Sequence, residues 1–212
     1  MICGIDEAGK GSVLGPMVIG GVKGESLSEF EVMGFTDSKI LSPAKRENMY
    51  EEIVSSFKTT SVVLEARKID EFRLSYSMNS IVAKAHARAI DNLRPEKAYV
   101  DACDVNELRY AFHVQEFLKN PVFIISEHKA DKKYAIVGAA SIVAKVTRDR
   151  IIDEISEEYG DIGSGYPSDS KTISFLENYI IQNGSCPEIG RKSWKTVSNI
   201  TGKIQQKSIF DF

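Results

Sequence analysis

The sequence predicts an α/β fold: a mixed sheet flanked by helices, with a small helical appendage at the C-terminal end. Three observations carry this: two short strand-like runs at the start, an alternation of strand-like and helix-like segments through the middle, and a last quarter with helical spacing alone. Residues 2–7 and 15–22 read as strands joined by a glycine-bearing loop, an N-terminal hairpin. Ser42-Pro43 starts a helix, with serine as cap and proline at the first helical position, and Met49, Ile53, Val54 and Phe57 form its apolar face. Residues 60–66 are β-branched and apolar enough for a third strand. Residues 77–93 place Met78, Ile81, Val82, Ala85, Ala89 and Ile90 at helical spacing, and Arg94-Pro95 ends that helix. A short strand at 98–102 carries Asp101, a helix covers 106–118 and a strand 122–126. A long helix is expected over 133–159, with Ile136, Ala140, Val143, Ala144, Val146 and Ile151 on one side. Helices at 169–183 and 194–200 complete the chain, and no internal repeat or low-complexity linker interrupts it.

With 212 residues, one main domain is the expectation. Hydrophobic content of 42% and charged content of 27% are those of a soluble globular protein. Cys3, Cys103 and Cys186 are odd in number, far apart and without CxxC spacing, which argues against a disulfide framework and a zinc site. A reducing, cytoplasmic location is expected. No charged start leads into an apolar signal, and no apolar run approaches the roughly 20 residues that cross a bilayer, so no membrane partner is expected. A formal charge of −3 disfavours an indiscriminate nucleic-acid binder but leaves room for a local basic surface. A site built from carboxylates adds negative charge that a bound cation offsets.

The first eleven residues hold the strongest chemical signal. A short apolar run ends in Asp6-Glu7, followed by Gly9-Lys10-Gly11. Strands rarely carry acids, so folding alone does not account for the pair. Adjacent carboxylates suit a hard divalent cation, and a glycine-flanked loop lets a polyanion approach main-chain N–H groups. Consecutive strand residues point to opposite faces, so Asp6 and Glu7 share an ion only where the strand ends, twists or bulges. Asp101 ends its own strand, and Asp131 directly precedes the long helix. Taken alone, Asp101 reads equally as a strand-end turn former, and Asp131 better as a helix cap. Together, the four suit metal-dependent phosphodiester chemistry, in which two ions activate a water and stabilise the departing oxygen without a protein nucleophile. His86, His113 and His128 lack the spacing of a metal cluster or triad, and His86 is expected at solvent or beside a helix, with no chemical role. Ser141 and Cys103 have no recognisable histidine partner.

Ile5-Asp6-Glu7-Ala8-Gly9-Lys10-Gly11, Gly15-Pro16-Met17-Val18, Asp37-Ser38-Lys39, Tyr99-Val100-Asp101, Lys129-Ala130-Asp131, the run from Ala140 to Asp149, and Gly163-Ser164-Gly165-Tyr166-Pro167-Ser168-Asp169 occur in this order. As a set they resemble the type 2 ribonucleases H, the ribonuclease HII family, and most closely its archaeal branch. The resemblance implies a ribonuclease H-like mixed sheet flanked by helices, and endonucleolytic cleavage of the RNA strand of RNA–DNA hybrids and at the 5′ side of ribonucleotides embedded in duplex DNA. It implies Asp6, Glu7, Asp101 and Asp131 as catalytic ligands of Mg²⁺ or Mn²⁺, and Gly9, Lys10, Gly11 and Tyr166 as readers of the 2′-hydroxyl at the RNA-to-DNA junction. The physics agrees, since the 2′-hydroxyl distinguishes RNA from DNA and amides reach it where side chains are absent. Two positions depart from the family: Lys10 stands where arginine is usual and Ser12 where proline is common. If readout runs through the backbone, Lys10 costs little; if it runs through a guanidinium fork, preference for the junction weakens while activity stands.

Lys39 and Lys145 lie inside matching blocks and are the main expected phosphate contacts, with Lys129, Arg148, Arg191, Lys192 and Lys195 as further basic groups. The tail has Gln206, Ile209 and Phe212 at intervals of three, which resembles the box by which replication and repair enzymes attach to a sliding clamp. The expected division is a catalytic domain over 1–160, a helical subdomain over 161–204 and a tail over 205–212, in a monomer.

Overall fold

The structure, a computed structural model, describes residues 1–33 and 41–210, with side chains to residue 206. Among the described residues, strands β1 (Ile2–Ala8), β2 (Met17–Gly24), β3 (Lys58–Leu64), β4 (Lys97–Asp101) and β5 (Phe123–Glu127) form one mixed sheet in the order β3-β2-β1-β4-β5. β1 and β2 are antiparallel, the expected hairpin, whereas β1 with β4 and β4 with β5 are parallel. Parallel neighbours need long crossovers, which here contain helices. The helices are α1 (Leu27–Met33), α2 (Pro43–Ser56), α3 (Ala66–Arg73), α4 (Met78–Leu93), α5 (Glu107–Gln115), α6 (Ala130–Lys133), α7 (Ala135–Tyr159), α8 (Ser170–Asn183) and α9 (Lys195–Phe210).

Local signals explain most of these limits. The Ser42 side chain accepts the Lys45 N–H at the start of α2 (3.3 Å), and Ser77 accepts the Ser80 N–H at the start of α4 (3.1 Å). Arg94 ends α4 in the left-handed conformation, φ 51°, because the following proline disfavours right-handed helix at that residue. α1 and α3 were not expected, being short helices without a long apolar stripe. The long helix expected over 133–159 is α7, beginning two residues later, and a short helix not expected, α6, precedes it, with Tyr134 extended between them. α9 runs on to Phe210, past the expected end at 200 and across the expected start of the tail.

Two compact units are formed. The first comprises Met1–Lys10, Val18–Val63 and Ser77–Arg148; the second comprises Gly11–Met17, Leu64–Tyr76 and Asp149–Phe212. They interleave along the sequence because Val13 and Leu14 belong to the hydrophobic core of Ile162, Leu176, Ile180, Val197 and Ile200.

In the first unit the core joins Val22, Phe30, Ile53 and Tyr99 to Ile136, Val137, Ala140, Val143 and Val146 on α7. Full burial of each larger aliphatic or aromatic side chain contributes roughly 1.5–3 kcal/mol. α7 lies directly on the sheet backbone: a methyl at Gly4 would collide with the Ile136 carbonyl, and one at Gly20 with the Ala140 carbonyl.

In the second unit the 11–17 segment is held by backbone bonds. Val13 and Leu14 N–H donate to Gly165 O (2.7 and 3.1 Å), Gly15 N–H donates to Ile189 O (2.8 Å), and Arg191 N–H donates to Val13 O (2.9 Å). Asp70 on α3 accepts from Lys192 N–H, Ser193 N–H and the Ser193 hydroxyl (2.8, 3.0 and 2.6 Å). Among the described residues no helix is long and apolar enough to cross a membrane.

Candidate active site

The carboxylates meet at the C-terminal ends of two parallel strands. The β1–β4 pairing runs from Ile2 with Lys97 to Ile5 with Val100, so Asp6 and Asp101 occupy the next step of the same register and project to the same face. This is the α7 face, to which Gly4 and Tyr99, two residues earlier on their strands, are also turned. Ser141 of α7 hydrogen-bonds the Asp6 carboxylate, which also accepts the Glu7 N–H at 2.7 Å.

Glu7 points the other way, toward α4, where its Oε2 lies 3.3 Å from His86 Nε2. β1 has no bulge, and its pairing with β2 continues through Ala8. Pairing with β4 stops at Ile5, and beyond that edge the Glu7 charge still acts on both Asp6 and Asp101. Asp101 Oδ1 accepts the Ala130 N–H at 2.8 Å, which ties the end of β4 to the first turn of α6. Asp131, buried, is inside that turn. It is not the expected cap of the long helix; Lys129, left-handed at φ 56°, occupies the cap position of α6.

The electrostatics follow from this crowding. Asp6 is held well above the ordinary carboxylate range by burial and then by the charges of Glu7 and Asp101, against the opposing bonds from Glu7 N–H and Ser141. Asp101 is raised to about 6, by burial first, with Glu7 and Asp131 adding to the shift and the Ala130 N–H opposing it. Among the described residues no three His, Cys, Asp or Glu side chains are grouped closely enough to hold a metal ion as they stand. An open rim of carboxylate oxygens fits a small divalent cation that keeps water and substrate oxygens in its coordination sphere. Burial raises Asp6 and Asp101 and the neighbouring acids add to it, and a cation at this rim would offset that gathered negative charge, so the donor set fits Mg²⁺ or Mn²⁺.

The other expected positions distribute as follows. Gly9 is left-handed at φ 83°, which turns the chain out of β1, and Lys10 Nζ donates to Cys103 O at 3.2 Å. Lys145 follows Ser141 by one helical turn, on the side of α7 that carries the Asp6 contact. Gly11 and Tyr166 belong to the second unit, where Gly11 is exposed and Tyr166 half-buried. Lys39 lies outside the described residues. Gln206 is exposed on α9, Ile209 falls in the last turn of that helix, and Phe212 lies outside the described residues.

Two basic groups expected at phosphates are interior. Arg148 and Arg191 are 1% and 0% exposed. Arg191 Nε and Nη2 donate to Gly15 O (3.2 and 3.1 Å), and the guanidinium stacks 4.9 Å from the Trp194 ring centre, so it secures the 11–17 segment. Lys129, Lys192 and Lys195 are exposed.

Sequence reasoning missed His86, Tyr110 and Ser141. His86, expected at solvent or beside a helix, is fully buried on α4 and contacts Glu7 and Tyr110. A polar side chain within an apolar helical stripe was the available signal.

The sequence matches the family model for ribonuclease HII over residues 3–197. A ribonuclease HII from Methanoregula boonei is 54% identical over 212 residues, covering 100% of both chains. Ribonuclease H2 from Pyrococcus horikoshii superposes with a TM-score of 0.88 at 40% identity, covering 97% of this chain and 99% of that one. A ribonuclease HII from Archaeoglobus fulgidus, solved in complex with PCNA, gives 0.86 at 40% identity, covering 92% of this chain and 95% of that one. The mixed sheet with α7 across it is thus the ribonuclease H-like fold, and the chain belongs to the ribonuclease HII family of nucleases, which cleave RNA in RNA–DNA hybrids.

Proposed function

We propose that the chain cuts the RNA strand of RNA–DNA hybrids, and the 5′ side of ribonucleotides embedded in duplex DNA, by hydrolysis dependent on Mg²⁺ or Mn²⁺ held by Asp6, Glu7, Asp101 and Asp131. The observation that carries this is the convergence of Asp6 and Asp101, both raised by burial and by neighbouring acids, at the ends of paired parallel strands. The bound ions supply Lewis acidity toward the scissile phosphate and lower the pKa of the attacking water.

The chain's own groups orient and select. Ser141 and the Glu7 N–H hold the Asp6 carboxylate, and the Ala130 N–H holds that of Asp101. Lys145, and Lys39 from its matching block, offset backbone phosphate charge. The Gly9-Lys10-Gly11 amides and Tyr166 read the 2′-hydroxyl. Because Lys10 directs its amine at Cys103 O, readout falls to the backbone, and lysine in place of arginine is tolerated. The C-terminal Gln206, Ile209 and Phe212 dock to a sliding clamp; the Archaeoglobus relative in complex with PCNA supports this. The enzyme acts as a cytoplasmic monomer.

Asp101→Asn tests the catalytic reading. It keeps the fold and lowers cleavage of an embedded-ribonucleotide duplex by about 10²–10³-fold, the range typical when one charge-stabilising group is removed. Substrates run in parallel are a long hybrid and an all-DNA duplex, with Mg²⁺ and with EDTA. Near-normal turnover by the variant at saturating Mg²⁺ overturns the assignment, and cleavage of all-DNA duplex points to another nuclease on this fold.

A further inference from the structure

Behind Glu7 lies a buried polar line that the cleavage chemistry leaves unused. His86 and Tyr110 are both 0% exposed. The Tyr110 hydroxyl is 3.1 Å from His86 Nδ1, and the two rings meet edge to face at 84°. His86 Nε2 faces Glu7 Oε2 at 3.3 Å. On its other side, the Tyr110 hydroxyl is hydrogen-bonded to the Cys103 thiol. A histidine serving only as core filler needs one satisfied nitrogen; here both are aimed at polar atoms, one of them on a residue assigned to the metal.

Glu7 as a metal ligand is an acceptor only, so the imidazole meets it as a donor, with Nε2–H directed at Glu7 Oε2. A ring that turned an Nε2 lone pair toward a carboxylate oxygen in a dry environment would be repelled. The Tyr110 hydroxyl holds the opposite nitrogen, Nδ1, and so sets the angle at which the ring faces Glu7.

The geometry points to His86 and Tyr110 as positioning residues: Tyr110 holds the imidazole at Nδ1, and the Nε2–H that this aims at Glu7 Oε2 holds the Glu7 carboxylate in place for the metal. At 3.3 Å the Nε2 to Oε2 approach is a little longer than a usual N–H···O hydrogen bond. Groups behind a metal ligand govern its orientation, and their removal typically costs 10–100-fold in affinity or activity. The inference rests on Glu7 being a ligand.

The test uses the full-length chain. Nitrogen-15 NMR of the metal-free protein, with His86 assigned by comparison with His86→Gln, is expected to show a proton on Nε2, and Tyr110→Phe is expected to disturb the His86 signals. A ring protonated on Nδ1 alone overturns the inference without touching the catalytic reading. Calorimetric titration with Mn²⁺ is expected to show binding weakened roughly 10-fold or more by His86→Leu and by Tyr110→Phe. His86→Gln, whose amide can supply a donor toward Glu7, is expected to retain most of the affinity. In turnover, kcat is expected to fall with the affinity while KM for hybrid stays within about twofold. Tyr110→Phe removes only a hydroxyl and stands as the test if His86→Leu does not fold. Glu7→Gln separates the two readings. If it weakens Mn²⁺ binding while His86→Leu and Tyr110→Phe do not, the inference fails alone; if it leaves Mn²⁺ binding unchanged, the ligand role of Glu7 fails and the inference with it.

Discussion

Asp101 shows how a functional residue is made costly to the fold. Its carboxyl is raised to about 6, with burial the largest cause, and Asp6 is raised as well. A carboxyl whose folded pKa exceeds its unfolded value of about 3.9 contributes stability that is present below the unfolded value and lost as pH rises through the folded one. Through Asp101 the metal-free protein therefore loses stability between about pH 4 and just above about pH 6, and Asp6 extends the loss upward. A shift of about two units corresponds to roughly 3 kcal/mol, which the partial solvent access of Asp101 reduces to about 1–2 kcal/mol. In EDTA, thermal unfolding is expected at lower temperature at about pH 8 than at about pH 6. Asp101→Asn is expected to raise the midpoint at the higher pH and to diminish the gain that Mg²⁺ gives the wild type. Parallel melting curves for the two proteins across this range would refute the linkage. These acids were legible in the sequence because they contradict strand propensity. His86 was not, because its significance depends on Glu7, which the fold brings to α4 from a distant part of the chain.

At the scale of elements, α7 does two jobs through one set of contacts. Its apolar side closes the core of the first unit, and Ser141 on the same helix reaches Asp6. The helix can come this close only because Gly4 and Gly20 present bare backbone to the Ile136 and Ala140 carbonyls. Gly20→Ala would place a methyl against backbone that cannot rotate aside, so α7 must lift from the sheet. The expected cost is about 2–4 kcal/mol in urea denaturation, accompanied by reduced turnover as Ser141 recedes from Asp6. Gly202→Ala, where an added methyl meets nothing within α9, is expected to shift stability the other way by up to about 1 kcal/mol. Loss of less than about 0.5 kcal/mol in Gly20→Ala would rule out the close-packing account. Periodicity made α4, α5, α7 and α8 legible, with ends agreeing to within a few residues. The short α6 was not, since four residues are too few for periodicity to show; its first turn is held by the bond from Ala130 N–H to Asp101 at the end of the neighbouring strand.

For the whole molecule, order along the chain was a good guide to the sheet and a poor one to the compact units. The strand–helix alternation indicated a mixed sheet, but the 11–17 segment folds with the C-terminal helices through Val13, Leu14 and the buried Arg191, and no local pattern announces a partner that distant. The tail raises the same issue for an external partner. The backbone of α9 continues through Gln206 and Ile209 to Phe210, so the segment proposed to dock begins on a helix. Gln206→Ala and Phe212→Ala are each expected to weaken binding to an archaeal sliding clamp by about tenfold or more, the loss of one anchor residue at about 1.4 kcal/mol, measured by surface plasmon resonance on the full-length chain. Cleavage of a short embedded-ribonucleotide duplex without clamp is expected to be unchanged in both, because this duplex needs no tether to reach the carboxylates. Wild-type clamp affinity in both variants would remove the tail from any role in docking, and a matching fall in clamp-free cleavage would mean that the end of α9 supports the enzyme itself.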